Sequence, residues 1–290
     1  MTGALACCVH LNAVGHLQGQ YSLLLSSPVL KGCLFEGFRL TGGSRLLNKV
    51  RCFRTATKGG RQRGRAMEER QRTLRAAAER FVETKMAGRD ASHDAAHAFR
   101  VRDLALSLAM EEGLESHCLE IVELAALLHD IGDYKYNKDF VEDTMIVENF
   151  LEEEGVEESR RKKILDIIKR MGFKNELQKT CVDSSLEFGV VQDADRLDAI
   201  GAIGIARCFT YGGSTNQILH DPEISPRQNL SKEKYMNRAE KSTSINHFHE
   251  KLFKLKNIMK TEAGRRRAEK RHKFMETFIE EFYEEWSGRA

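Results

Sequence analysis

An adjacent histidine and aspartate, His129 and Asp130, end an apolar stretch and have the chemistry to bind a metal ion. The residues before them repeat at helical spacing, and Gly132 then interrupts the pattern. Consecutive side chains lie about 100° apart around a helix axis, so both groups can reach one point beyond the last turn. Because an isolated His-Asp pair is more typical of a surface or a helix cap, a metal site requires further ligands.

Two other segments supply candidate ligands. His97 lies early in a second apolar helical stretch, and Asp195 lies in a third, with Ala194 before it and Leu197 after it. A carboxylate in such surroundings is costly to bury without a cation or hydrogen-bond donors. Two histidines and two aspartates form a mixed nitrogen and oxygen ligand set, which suits Mn, Fe, Co, Zn or Mg better than a soft metal.

The order H…HD…D resembles the HD-domain metal-dependent phosphohydrolases. The resemblance includes HAFRV around His97, HDIGDYK around the central pair and DADRLDAIGA around Asp195, and it covers roughly residues 70 to 287. The chain is most similar to the small stand-alone members, some of which hydrolyse nucleoside triphosphates. The resemblance implies a divalent metal cofactor (Mn, Co, Mg or Zn) with His97, His129, Asp130 and Asp195 as its ligands.

Asp133 is the candidate catalytic acid or base. A bound divalent ion lowers the pKa of its water and polarises a phosphoryl oxygen. A nearby carboxylate that is not a ligand can accept the water proton or protonate the leaving group. By resemblance, some family members have an acid at this spacing, although theirs is a longer Glu. The alternative is that Asp133 orients His129.

Five other side chains are predicted to serve the site because they lie close to a ligand in the sequence. Arg100, Lys135 and Arg196 are candidate phosphate-binding cations, with plain surface charges as the alternative and an ion pair with Asp130 as a further one for Arg100. His93 and Asp198 lie one helical turn from His97 and Asp195, and we expect them to contact the ligands. His93 has two alternatives, a spare metal ligand or a helix cap.

The remaining pattern predicts an all-α fold, a single HD-type helical bundle at residues 67–290. Apolar residues recur at helical spacing, and the three prolines lie at 28, 222 and 226. Residues 211–231, rich in Gly, Pro and polar residues, are predicted to form a long loop after the Asp195 helix. That loop is either a lid over the metal site or a solvated insert.

Residues 1–66 differ in composition from the rest. They contain ten basic residues and the single acid Glu36, a net charge of +9, which leaves −6 for the remainder. The segment is predicted to be a mitochondrial or chloroplast transit peptide, with a disordered leader on a cytoplasmic protein as the alternative. The acidic body argues against nucleic-acid binding, and YSLLLSSPVL is too short to span a membrane. Cys118, Cys181 and Cys208, the cysteines of the body, form no CxxC pair, which indicates a reducing compartment.

The sequence therefore predicts a metal-dependent phosphohydrolase acting on a small-molecule nucleotide or phosphate ester. The reaction is either pyrophosphohydrolysis of a nucleoside triphosphate or removal of phosphate from a nucleotide. One alternative is a non-catalytic nucleotide sensor anchored by the metal. Another is a di-iron HD-fold oxygenase, which requires additional histidine ligands. The sequence leaves open whether the protein forms a homodimer.

Overall fold

The computed structural model describes residues 46–132, 145–171, 185–228 and 242–290, with side chains in the first helix described for residue 62 and from residue 64 onward. The chain divides into two compact units, Met1–Thr57 and Lys58–Ala290. Of the first unit, residues 46–57 are described and are helical, whereas the core and the converging side chains belong to the second. The all-α prediction is confirmed. The named elements in the described ranges are all helical, and their strand-like pairing is limited to one parallel bridge between Ile218 and Thr243.

Several of the described connections between the helical elements, such as residues 112–115 and 154–157, are short, and helical elements make up most of the described ranges. In chain order they are α1 (Leu46–Lys85), α2 (Ala95–Glu111), α3 (Ser116–Leu128), α4 (Met145–Glu153), α5 (Glu158–Arg170), α6 (Leu186–Asp198), α7 (Gly201–Ser214), α8 (Ser244–His247), α9 (Phe253–Leu255) and α10 (Glu262–Trp286). A π-helical turn (Phe248–Leu252) joins α8 to α9, and a 3₁₀ turn (Lys256–Ile258) follows α9. None of the described helices is both long enough and apolar enough to cross a bilayer.

Two helix boundaries differ from those predicted. Helix α1 begins at Leu46, well before the expected start at residue 67, and its first half has no apolar period from which a helix could be predicted. Helix α7 continues to Ser214, so the predicted loop starts at Thr215 and not at residue 211. Gly212 lies within this helix because a Cβ there would collide with the Ser244 hydroxyl. The glycine serves close packing and does not end the helix.

The core forms where α2, α3 and α6 pack against one another. Helix α5 packs on α3, and α7 packs against α10. Helix α3 is buried along its whole second half, and large apolar side chains such as Leu108, Leu127 and Leu197 are fully enclosed. Each such side chain contributes roughly 1.5–3 kcal/mol on burial. This core fixes the relative positions of the three helices that carry the predicted ligands.

A buried carboxylate joins α6 to the start of α10. Asp193 accepts hydrogen bonds from the backbone N–H of Lys260 (2.9 Å) and from the N–H and hydroxyl of Thr261 (2.8 and 2.7 Å). Burial raises the pKa of Asp193, and these hydrogen bonds offset part of that effect. Because Asp193 precedes Asp195 by two residues, this anchor also holds the α6 turn that carries Asp195.

The described part of the predicted loop is attached to the segment around α8. The Arg227 backbone N–H and guanidinium bind the buried Glu250 carboxylate at 2.9 and 2.6 Å, and the Asn246 amide donates to the Ile224 carbonyl at 2.7 Å. Residues 229–231 lie outside the described ranges. The role of this loop as a lid stays a prediction.

Candidate metal centre

The ends of three helices bring the predicted ligands together. His97 lies in the first turn of α2, where its backbone N–H donates to the capping carboxylate of Asp94 at 3.0 Å. His129 is the residue that ends α3, and the chain then turns at Gly132, whose φ of 78° is unfavourable for other residues. Asp195 lies in the last turn of α6. The two C-terminal helix ends and one N-terminal end therefore meet at one place.

The four predicted ligands converge on a small volume. His97 Nε2 lies 3.4 Å from Asp130 Oδ2 and 3.6 Å from Asp195 Oδ1. His129 Nε2 lies 3.4 Å from Asp130 Oδ1 and 3.8 Å from Asp195 Oδ1. Adjacent atoms that bind one ion at about 2.0–2.2 Å lie roughly 2.8–3.6 Å apart in octahedral or tetrahedral geometry. The observed separations are close to those that one divalent ion requires.

Both imidazole rings present Nε2 to this volume because Nδ1 is occupied elsewhere. His129 Nδ1 donates to the Ala126 carbonyl at 2.8 Å, and His97 Nδ1 donates to Asp198 Oδ2 at 2.8 Å. His129 Nε2 is buried and has no hydrogen-bond partner among the described residues. A buried polar atom without a partner is costly, and a metal ion would satisfy it. The donor set and this nitrogen fit a divalent metal.

The electrostatics of the cluster favour a cation. Burial alone would raise the pKa of Asp130, but the charge of His129 and the hydrogen bond from His97 lower it well below its ordinary range. Burial would lower the pKa of His97, but its hydrogen bonds to Asp130 and Asp198 outweigh that effect and raise it. Asp130 is therefore ionised at neutral pH, and a metal would compete with a proton for His97.

Asp198, singled out because it lies one helical turn from Asp195, contacts the other helix's candidate ligand, His97. Its side chain is 2% exposed and accepts from His97 and, in a bidentate pair, from Arg100 Nε (2.8 Å) and Nη2 (3.0 Å). The described carboxylate partner of Arg100 is thus Asp198 and not Asp130. The Arg100 side chain is 36% exposed, and its phosphate-binding role stays a prediction.

The other predicted site residues have different positions. His93 Nδ1 lies 2.7 Å from the Ser92 hydroxyl, and its ring lies edge-on to the ring of His97 at 5.9 Å. Arg196 is buried, donates to the Ile258 carbonyl and lies 4.0 Å from Asp193. These contacts give no support to its predicted phosphate role. Asp133 and Lys135 lie outside the described residues.

Two arginines that the sequence did not single out also contact the site. Arg207 of α7 binds Asp198 Oδ2 at 3.2 Å and donates to the Ser92 carbonyl at 2.6 Å. Arg89 donates to the backbone carbonyl of Asp130 at 3.2 Å. Arg207 follows Asp198 by nine residues, beyond the three- or four-residue spacing that places side chains on one helix face. No sequence spacing signals this contact.

Within the described ranges, a single group of three or more His, Cys, Asp or Glu side chains has the geometry to hold a metal, namely His97, His129 and Asp195. Asp130 adds one oxygen near each imidazole. Other histidines have different surroundings, since His117 pairs with Glu115 and His249 contacts the Tyr283 hydroxyl. This is a possible divalent-metal site.

A family model described as "HD domain" matches residues 94–200, a span that includes all four converging side chains. Over 208 residues the chain is 34% identical to the uncharacterized protein YpgQ of Bacillus subtilis, and the match covers 72% of this chain and 91% of that protein. The helical bundle and its His/Asp cluster are those of an HD-type protein. The chain belongs to the HD-domain family of metal-dependent phosphohydrolases.

Solved structures agree with this assignment. A Lactobacillus plantarum protein is 36% identical with a TM-score of 0.66, covering 74% of this chain and 98% of its own. An HD-superfamily hydrolase from Bacillus thuringiensis is 39% identical with a TM-score of 0.56, covering 75% and 98%. YpgQ, solved in complex with ADP, aligns at 30% identity with a TM-score of 0.57, covering 74% and 96%.

Proposed function

We propose that this chain is a divalent-metal-dependent phosphohydrolase that acts on a nucleotide. The observation that carries the proposal is the convergence of His97, His129, Asp130 and Asp195, with His129 Nε2 buried and lacking a hydrogen-bond partner among the described residues. Imidazole nitrogens and carboxylate oxygens are the ligand types that Mn, Co, Zn and Mg sites draw on, so the donor set is compatible with each of these metals.

Each side chain of the site has a separate proposed role in the reaction. The two imidazoles and two carboxylates would hold the ion, which when bound would supply a water of lowered pKa and polarise a phosphoryl oxygen. Asp198 fixes the ring of His97 by accepting a hydrogen bond from its Nδ1–H. Arg100, one-third exposed beside this pair, and Lys135 are the proposed cations for the phosphate oxygens. Asp133 is the proposed proton acceptor or donor, with orientation of His129 as its alternative role.

The nucleotide part of the proposal draws on the relative YpgQ, which was solved with ADP. Pyrophosphohydrolysis of a nucleoside triphosphate and removal of a single phosphate require similar chemistry at one ion. We favour the triphosphate because the chain resembles stand-alone family members that use it.

A nucleotide panel tests the function. The purified protein, stripped of metal and reloaded separately with Mn, Co, Mg or Zn, is incubated with nucleoside mono-, di- and triphosphates while phosphate and pyrophosphate are measured. Pyrophosphate from a triphosphate is the expected product. Nucleotide binding without release of either product would favour the sensor. Two bound irons without phosphate release would favour the oxygenase, an alternative for which the described surroundings of His117 and His249 offer no support.

A further inference from the structure

The Asp198 carboxylate is held by two arginines besides His97. Arg100 on α2 binds both carboxylate oxygens, and Arg207 on α7 binds Oδ2, the oxygen that also accepts from His97. The side chains of His97 and Asp198 are 1% and 2% exposed, and that of Arg207 is 11% exposed. In such surroundings charge pairs are weakly screened, so the position of Asp198 depends on its cationic partners.

Arg207 also reaches a second part of the site. Its Nε donates to the Ser92 carbonyl at 2.6 Å. The Ser92 side chain contacts Asp90 Oδ1 and lies 2.7 Å from His93 Nδ1, so this short turn sets the orientation of the His93 ring. The Arg207 guanidinium therefore connects the turn before α2, at Ser92, to Asp198, the last residue of α6.

We propose that Arg207 is a positioning residue of the metal centre, which orients His97 through Asp198. The inference rests on the proposed metal site and extends it to a residue on α7, a helix that carries none of the four ligands. Arg207 fixes Oδ2 of Asp198, and Asp198 accepts a hydrogen bond from His97 Nδ1–H, which leaves the Nε2 lone pair directed at the ligand cluster. Its planar fork can bind a carboxylate and a carbonyl together, which a lysine ammonium cannot do with the same geometry.

Metal affinity of the stripped protein is the first measurement. Mn²⁺ binding is followed by calorimetry in the parent and in the Arg207→Gln and Arg207→Lys variants. Loss of a side chain bonded directly to a metal-binding histidine typically weakens metal affinity about 10- to 100-fold, and because Arg207 acts through Asp198 we expect a loss near the lower end of that range, about 10-fold, for Arg207→Gln. Arg207→Lys retains the charge without the double contact, so we expect a smaller loss that is still several-fold.

Arg102→Gln is the matched control. Arg102 lies on α2, its side chain is 15% exposed, and it pairs with Asp103 and Glu79 away from the cluster. Any general loss of stability from removing a mostly buried, ion-paired arginine should appear in both Arg102→Gln and Arg207→Gln. If the two variants lose metal affinity equally, or if Arg207→Lys binds Mn²⁺ like the parent, the positioning role is wrong.

The imidazole tautomer gives a reading that needs neither metal nor activity. In ¹⁵N-labelled metal-free protein at alkaline pH, the parent should show His97 as the Nδ1–H tautomer with a slowly exchanging proton. Arg207→Gln should broaden that signal or mix the tautomers, whereas Arg102→Gln should leave it unchanged. An unaltered His97 signal in Arg207→Gln would overturn the proposal. Failure of the hydrolase proposal would appear separately, as an inactive parent protein that still shows these differences.

Discussion

The two candidate imidazole ligands are oriented by different acceptors. His129 donates Nδ1–H to a backbone carbonyl of its own helix, whereas His97 donates to the buried carboxylate of Asp198. A carboxylate acceptor makes the opposite ring nitrogen more basic than a neutral carbonyl does. Burial would lower the pKa of His97, but its hydrogen bonds to Asp130 and Asp198 raise it, so protons compete with a metal for this ligand at higher pH than for an ordinary histidine. At the residue scale, His97 is the ligand through which pH should act most directly on metal binding.

Replacing His129 tests the ligand set. His129→Ala should abolish both bound metal and hydrolysis while the far-ultraviolet helical signal survives, because His129 only ends α3. Metal content and nucleotide hydrolysis are measured on the purified variant. His117→Ala, an exposed histidine near the start of α3, is the control and should retain both. Full activity in His129→Ala would exclude the proposed mechanism.

Asp133→Asn separates proton transfer from metal binding. The variant should keep its metal but hydrolyse about 10²- to 10⁴-fold more slowly, the usual scale of general acid–base catalysis. Metal content and kcat are measured on the same preparation. A kcat within a few-fold of the parent would instead favour a role in orienting His129.

Asp198 should make stability depend on acid pH. Burial alone would raise its pKa, but hydrogen bonds from His97 and Arg100 and the charge of Arg207 lower it below the ordinary value. A lowered folded-state pKa stabilises the fold above the unfolded value of about 4, and this contribution is lost as pH falls below it. The metal-free Asp198→Asn variant should therefore be less stable than the parent at pH near 7, by an amount that narrows below about 4.

Denaturant unfolding of both proteins across this range measures the effect. Asp103→Asn, an exposed aspartate on α2, is the control and should follow the parent closely. A stability difference that is constant with pH would show that Asp198 acts only through packing.

At the scale of elements, the contact between α6 and α10 is closely packed around the buried Asp193 carboxylate. A Cβ on Gly264 would collide with Asp193 Oδ2 and the Thr261 hydroxyl, and both are held by hydrogen bonds. Gly264→Ala should therefore cost roughly 1–3 kcal/mol, as overpacking does. Gly213→Ala is the matched change in open space within α7, and there alanine should be neutral or stabilising. Thermal unfolding measures the stability of both variants. A Gly264→Ala variant as stable as the parent would contradict the packing described.

The same joint shows where sequence patterns stop being informative. Helices α2, α3 and α6 follow from apolar spacing, and their packing follows from the amphipathic faces. In the sequence, Asp193 is simply one of three aspartates at 193, 195 and 198. Its role is not predictable, because its partners are the backbone N–H groups of residues 260 and 261, far along the chain. The early start of α1 was missed for a related reason, since a helix without an apolar face has no period to detect.

At the scale of the whole molecule, the four predicted ligands could be found because their residue types are rare in apolar helices. Their convergence required the three helix ends to meet, which the HD-family resemblance implies and the distances around His97 and His129 bear out. Arg207 could not be found, because its contacts with Asp198 and Ser92 depend on how α7 packs.

The basic N-terminal segment is a whole-molecule prediction that the folded body does not test. Residues 1–66 fused to a fluorescent protein should direct it to mitochondria or chloroplasts, since acid-poor, arginine-rich segments are typical transit peptides. Replacing the seven arginines of the segment by glutamine should abolish import. A diffuse cytoplasmic signal from the unaltered segment would support the alternative location.

The ligand cluster lies where α3 and α6 end and α2 begins. Aligned peptide dipoles give a helix C-terminus a partial charge of about −0.5 and an N-terminus about +0.5, so the two C-terminal ends outweigh the start of α2 and add to the negative potential of the carboxylates. Cation binding should in return stabilise the winding of those last turns. Amide hydrogen exchange near residues 126–132 and 195–199 should accordingly quicken when a chelator removes the ion, while the middle of α3 stays protected.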